Sequence, residues 1–179
     1  IVVPWLFGFT EEARVAKRES RAETIRAAGE RGEEAFWRSV ESSGLSADAR
    51  ECMHQLVADW TGGDLSTYGG VSWGATAVFV VRGALTTRGL FALNRSGGLE
   101  LYFGYWDEQR YQNVGPLQMA IRDDFIALVG RTFAVHLSEK QRRAFPSISV
   151  DKWTPNASTF PQALADTLRT HLGSASDQL

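Results

Sequence analysis

The chain has 179 residues, 44% of them hydrophobic and 22% charged, enough for one domain with a core of its own. Its formal net charge of −2 excludes a global field that would draw it to nucleic acid or an anionic membrane, so such binding must come from a local patch. A single cysteine, Cys52, excludes an internal disulfide framework and fits a reducing cytoplasm, and no apolar run approaches the ~20 residues of a membrane span.

Ile1 to Phe9 reads as a strand entering mid-fold, without the basic start and small-residue cleavage site of a signal peptide, so the chain reads as a piece of something longer. Thr10 followed by Glu11 and Glu12 offers an oxygen cap and first-turn acids. The helix it opens is rich in Arg, Lys and Glu as far as Ala28 and has only Val15, Ile25 and alanines to pack, which suits a solvated connector. Gly29 and Gly32 interrupt it, and any domain boundary falls there. Residues 1–32 are therefore set apart as the end of an upstream domain. Residues 33–172 form the domain proper, and 173–179 a polar, disordered tail.

Phe36, Trp37 and Val40 give a short helix one face to bury, and Gly44 ends it. Leu45, Ala49, Cys52, Met53, Leu56, Val57 and Trp60 recur at three- and four-residue steps, the clearest helix in the chain, with Ser46 as its cap. Gly62-Gly63 and Gly69-Gly70 read as a flexible lead into a sheet. From Val71 to Trp106 three apolar strands follow in close succession. The first centres on Ala77–Val81 and the second runs from Gly89 to Asn94. In the third, Leu99, Leu101, Phe103 and Tyr105 alternate with Glu100, Tyr102 and Trp106. Ser96-Gly97-Gly98 is a hairpin signal, because glycine reaches the positive φ such turns need.

Pro116 opens a second strong helix with Leu117, Ile121, Phe125, Leu128 and Val129 as its stripe. Ser138 and Gln141 match a capping box for a short helix through Ala144, which Pro146 stops. Ile148 and Val150 alternate like an edge strand, and a last helix from about Thr159 buries Leu164 and Leu168. The fold class expected is α+β: a three- to four-stranded antiparallel meander packed against amphipathic helices, chiefly Leu45–Trp60 and Pro116–Phe133. The expected core is Cys52, Leu56, Trp60, Phe79, Val81, Phe91, Leu93, Leu101, Phe103, Ile121, Phe125 and Leu128.

Chemistry is harder to find. His54, His136 and His171 accompany no Gly-x-Ser-x-Gly elbow, and Cys52 lies on the buried face of its helix, about 200° around from His54. No clustered Cys, His or carboxylates offer a metal site, and the glycine pairs lack the Lys-Ser/Thr of a phosphate loop. Restriction-type nuclease chemistry would want Glu-x-Lys on a strand, and Tyr102 stands where that lysine would follow Glu100. Neither a metal nor a cofactor is expected. What remains is a binding surface on the meander: Arg82, Arg88 and Arg95 interleaved with Trp73, Tyr102 and Trp106, as a nucleic-acid platform uses phosphate pairing and base stacking. The same residues also read plainly as solubilising turn arginines and aromatics that cover a helix face.

The segment from Phe36 to about Leu172 carries Phe36-Trp37, a helix ending in Trp60, Trp73-Gly74, Leu90-Phe91, Gly97-Gly98, Leu99 to Phe103, Phe125, and Phe145-Pro146-Ser147-Ile148. In that order these resemble an uncharacterised accessory module of bacterial proteins that often follows a restriction-endonuclease-like nuclease domain. Phe9 to Arg14 faintly resembles the end of such a nuclease. Ala75 departs from the pattern, where a second glycine often follows Trp-Gly. The resemblance implies a nuclease-associated module with no catalytic residue to carry over; with the cytoplasmic setting and lack of a membrane span read above, the partner expected is nucleic acid or the upstream nuclease domain. The function expected is a non-catalytic recognition module binding nucleic acid or a protein partner. The alternatives are an enzyme with a dispersed acid/base site and a structural or oligomerising domain. The recognition reading requires Arg82, Arg88, Arg95, Tyr102 and Trp106 to be exposed on a common face.

Overall fold

The computed structural model describes residues 32–81, 89–109, 111–112 and 114–173. Over those residues the chain is α+β, with six α-helices and an open five-stranded antiparallel sheet in the order β1-β2-β3-β4-β5. The helices are α1 (Glu33–Glu41), α2 (Ala47–Gly62), α3 (Pro116–Thr132), α4 (Glu139–Arg142), α5 (Val150–Trp153) and α6 (Phe160–Leu172). The strands are β1 (Gly69–Trp73), β2 (Ala77–Val81), β3 (Gly89–Leu93), β4 (Leu99–Leu101) and β5 (Ser147–Ile148). The readings of residues 1–31, of Arg82, Arg88 and the 83–87 connection, and of the tail from 174 lie outside the described residues.

Local chemistry sets the helix ends. Ser46 Oγ accepts the Ala49 N–H at 3.2 Å, satisfying one of the donors a helix start leaves free. Before α3, the Gly115 N–H donates to the Gln118 carboxamide at 2.9 Å, and Pro116 supplies a preset φ where no N–H is needed. The box expected at α4 forms: Gln141 Oε1 accepts the Ser138 N–H at 2.9 Å, while Ser138 Oγ accepts the Gln141 N–H at 3.4 Å.

Three corrections concern the sheet. The stretch from Val71 is two strands, reversed at Gly74–Thr76, where the Gly74 N–H donates to the Thr76 carbonyl at 3.1 Å. Gly69-Gly70 belongs to β1 rather than to a lead. A Cβ on Gly69 would lie 1.8 Å from the Val80 carbonyl oxygen, so close pairing with β2 selects glycine there. The second shortens β4, which stops at Leu101. Tyr102 leaves the extended region (ψ 38°), its N–H bonds the Leu90 carbonyl, and Phe103–Trp106 coils into a 3-10 turn. Ile148 lies in edge strand β5, opposite Leu99, whereas Val150 begins α5 instead of continuing it.

The hairpin at Asn94–Gly98 forms as expected, with Gly97 at φ 80°. Asn94 Oδ1 accepts the Ser96 and Gly98 N–H groups, and the buried Trp153 indole donates to the Gly97 carbonyl at 2.7 Å. On one face of the sheet Phe79, Phe91 and Leu101 align across β2, β3 and β4, against α2, α3 and α6. Phe91 is the hub: it stacks on Phe79 at 4.3 Å and meets Trp60, Phe125 and Phe160 within about 6 Å. Every expected core residue is buried except Cys52, which is half-buried with its Sγ 4.0 Å from the Thr154 carbonyl.

Candidate functional site

The described members of the expected meander surface do not share a face. Trp106 is 1% exposed and its indole N–H donates to the Gly89 carbonyl at 3.3 Å, so it is a core residue and not a platform. The coil at 103–106 turns it inward, where a continued strand would have turned it out. Trp73 is half-buried on the helix-covered face, 5.6 Å from Phe36 and 6.1 Å from Trp37, whose ring stacks on His54. Arg95 is exposed at the tip of the β3–β4 hairpin. Tyr102 lies beyond the opposite end of β4.

Tyr102 instead belongs to another aromatic group. Tyr105 lies 5.4 Å from Tyr102, 4.8 Å from Phe145 and 6.0 Å from Tyr111. Phe145 is 42% exposed and is the one exposed large hydrophobic among the described residues. Backbone bonds fix the approach: the Gly104 N–H donates to the Ala144 carbonyl and the Leu101 N–H to the Pro146 carbonyl, each at 2.8 Å. A Cβ on Gly104 would press on the Phe145 ring at 2.7 Å, so glycine lets the ring come close to the chain. The Tyr102 phenol is held above its usual pKa, first by burial and further by Glu100 and Tyr105, against a Thr76 side-chain hydrogen bond that lowers it.

Directly before Phe145 comes a cationic segment. A groove of about 400 Å³ runs between α3 and the chain from Val135 to Arg142, with Ile126, Ala127, Val135 and Leu137 as apolar lining and Asp123, Arg131, His136 and Arg142 as polar lining. A second groove of about 220 Å³ shares Asp123, Ile126 and Arg142 with it and adds Arg122, Glu139 and Arg143. Arg122 is neutralised by Asp123 at 2.8 Å and also reaches the Trp106 carbonyl, while Arg143 pairs with Glu139 at 3.5 Å. Arg142 spends Nε on the Leu137 carbonyl, and its terminal nitrogens meet no acid among the described residues. On α3 and α4, Arg131, Lys140 and Arg142 are exposed and make no ion pair among the described residues.

The wall of the larger groove depends on how α3 ends. Phe133 caps it, Ala134 takes φ 51°, and the Val135 N–H reaches back to the Gly130 carbonyl at 3.2 Å, which is a Schellman closure. That closure folds Val135–Leu137 back beside α3.

Catalytic chemistry finds less support. His171 Nε2 lies 2.7 Å from Asp124 Oδ2, tying α6 to α3 beside a groove lined by Thr167 and Thr170. Both threonine hydroxyls donate to backbone carbonyls one turn back, Thr167 to Ala163 and Thr170 to Asp166, so neither is poised on the imidazole. Among the described residues no cluster of His, Cys, Asp or Glu is placed to hold a metal, and no helix is long and apolar enough to cross a membrane.

No family model, curated protein or solved structure matches the chain. The function must be argued from the site. Sequence reasoning passed over Arg131, His136, Arg142, Tyr105, Tyr111 and Phe145. The run Lys140-Gln-Arg-Arg-Ala-Phe145 carries the same mix of cations and an aromatic ring as the hairpins, in a segment whose capping box and Phe-Pro-Ser-Ile motif are its more visible features.

Proposed function

We propose that this chain is a non-catalytic recognition module for nucleic acid, making contact through α4 and the groove beside it, within a larger bacterial protein. The observation that carries the reading is that Arg131 and Arg142 line one groove, while Lys140 and Arg142 stand in the chain just before Phe145, whose exposed ring packs on Tyr105 and Tyr102. Cations bind the phosphate backbone by releasing its counterions, and aromatic rings beside them offer stacking faces. The likeness of Phe36–Leu172 to an accessory module supports a place beside a nuclease domain.

The test is titration of a fluorescently labelled oligonucleotide with the full chain at several salt concentrations. Three phosphate contacts predict affinity falling roughly twentyfold as salt rises from about 50 mM to about 200 mM. Replacing Arg131 and Arg142 together by Gln should flatten that dependence to roughly threefold. Absence of binding at low salt, or a salt response indifferent to both arginines, defeats the proposal. A second reading, a protein partner, is favoured by the apolar floor of Ile126, Val135 and Leu137. It predicts partner binding that survives the arginine replacements and weakens on Ile126→Asp.

A further inference from the structure

Resting on that reading, we infer that the α4 surface takes single-stranded nucleic acid, with the sugar-phosphate backbone along the α3–α4 groove and bases against the Phe145 aromatic group. Shape argues first. Duplex readers send a helix or a two-stranded ribbon into the major groove. Here the cation-bearing helix, α4, spans only Glu139–Arg142, and Lys140, Arg142 and Arg143 sit on a single turn packed beside α3. A turn that short has no recognition face to insert.

The kind of contact argues next. The chain sets an exposed ring, Phe145, directly after its cationic turn, and a ring is useful to a nucleic acid only where bases are unstacked. Phe145 is the exposed ring, buttressed edge-to-face by Tyr105 at 4.8 Å and Tyr102 at 5.9 Å, which holds it in place before a ligand arrives. Dimensions agree: at about 400 Å³ the larger groove falls in the range of sites for small-molecule-sized ligands, with Arg131 and Arg142 for phosphate and Ile126, Val135 and Leu137 for a sugar edge. Of the cations that make no ion pair among the described residues, Arg142 is the nearest to the rings along the chain, three residues before Phe145. A strand lying along α4 therefore meets charge and ring in succession.

Anisotropy titrations of the full chain with labelled oligo(dT) of about 15 nucleotides, and with a hairpin duplex of similar charge, separate the possibilities. Expected is tighter binding of the single strand, by about tenfold. Phe145→Leu, which keeps apolar bulk and removes the ring face, should weaken the single strand about fivefold or more while leaving its salt dependence unchanged. Phe145→Tyr, which keeps the face, should restore it. Equal affinity for duplex and single strand, with no effect of Phe145→Leu, overturns this inference and leaves the nucleic-acid reading standing. Failure to bind either probe at low salt overturns both. An unchanged melting temperature in Phe145→Leu assigns a lost affinity to the surface; if Phe145→Leu unfolds, the Phe145→Tyr comparison decides, and weakened binding there also overturns the inference.

Discussion

Ala134 is the non-glycine residue that the described backbone holds at positive φ, and its cost follows from stereochemistry. A left-handed conformation costs an L-residue roughly 1–2 kcal/mol, and glycine avoids this at about 0.5–1 kcal/mol of extra unfolded-state entropy. Ala134→Gly should therefore stabilise the protein by about 0.5–1 kcal/mol, read as a higher urea midpoint at unchanged slope. A lower midpoint would mean that the methyl group contributes packing the geometry does not account for. Tyr102 gives a residue-scale prediction of different sign. A phenol whose folded pKa is raised above its unfolded value contributes stability that is intact below the unfolded value and is lost as pH rises through the folded one. Stability should then fall above about pH 10, and Tyr102→Phe should fall less across that window, checked by denaturant midpoints at about pH 9 and about pH 11.

At the scale of elements, the pairing of β1 with β2 rests on a missing side chain. Gly69→Ala would drive a methyl group into the Val80 carbonyl, and because backbone cannot yield as a flexible side chain does, the strands must part. A loss of about 2–4 kcal/mol is expected, against almost none for Gly62→Ala, where nothing lies within 4 Å. Equal melting temperatures for the two variants would contradict the register. The same pair shows why some elements were legible in the sequence and others were not. α2, α3 and α6 announce themselves because buried side chains recur with the helical period and Ser46, Pro116 and Pro161 mark their starts. β1 was hidden because Gly69-Gly70 carries no pattern, and its reason for being a strand lies in the Val80 carbonyl, a partner eleven residues on. The overlong β4 is the opposite failure. Apolar alternation runs unbroken from Leu99 to Trp106, and the break after Leu101 is imposed by Ala144 and Pro146, whose carbonyls capture the Gly104 and Leu101 N–H groups. The candidate site was missed for the same reason: only that capture brings Phe145 to Tyr102 and Tyr105.

For the molecule as a whole, the net charge of −2 conceals an uneven distribution. Cations on and beside α4 face outward while acids such as Asp64 and Asp166 are engaged with Arg169 on α6. A polyanion approaching from a distance meets weak net repulsion and feels attraction only within about a Debye length of α4, about 10 Å at 0.1 M salt. Association should accordingly be slower than for a uniformly basic binder. The indole of Trp153 closes a different circuit. By grasping a carbonyl 56 positions earlier, it makes the shape of the Arg95 bend answerable to the seating of α5. Anything that pries that helix loose will be felt first at a loop tip that it never touches in sequence, so the bend serves as a sentinel for the integrity of the carboxy-terminal third.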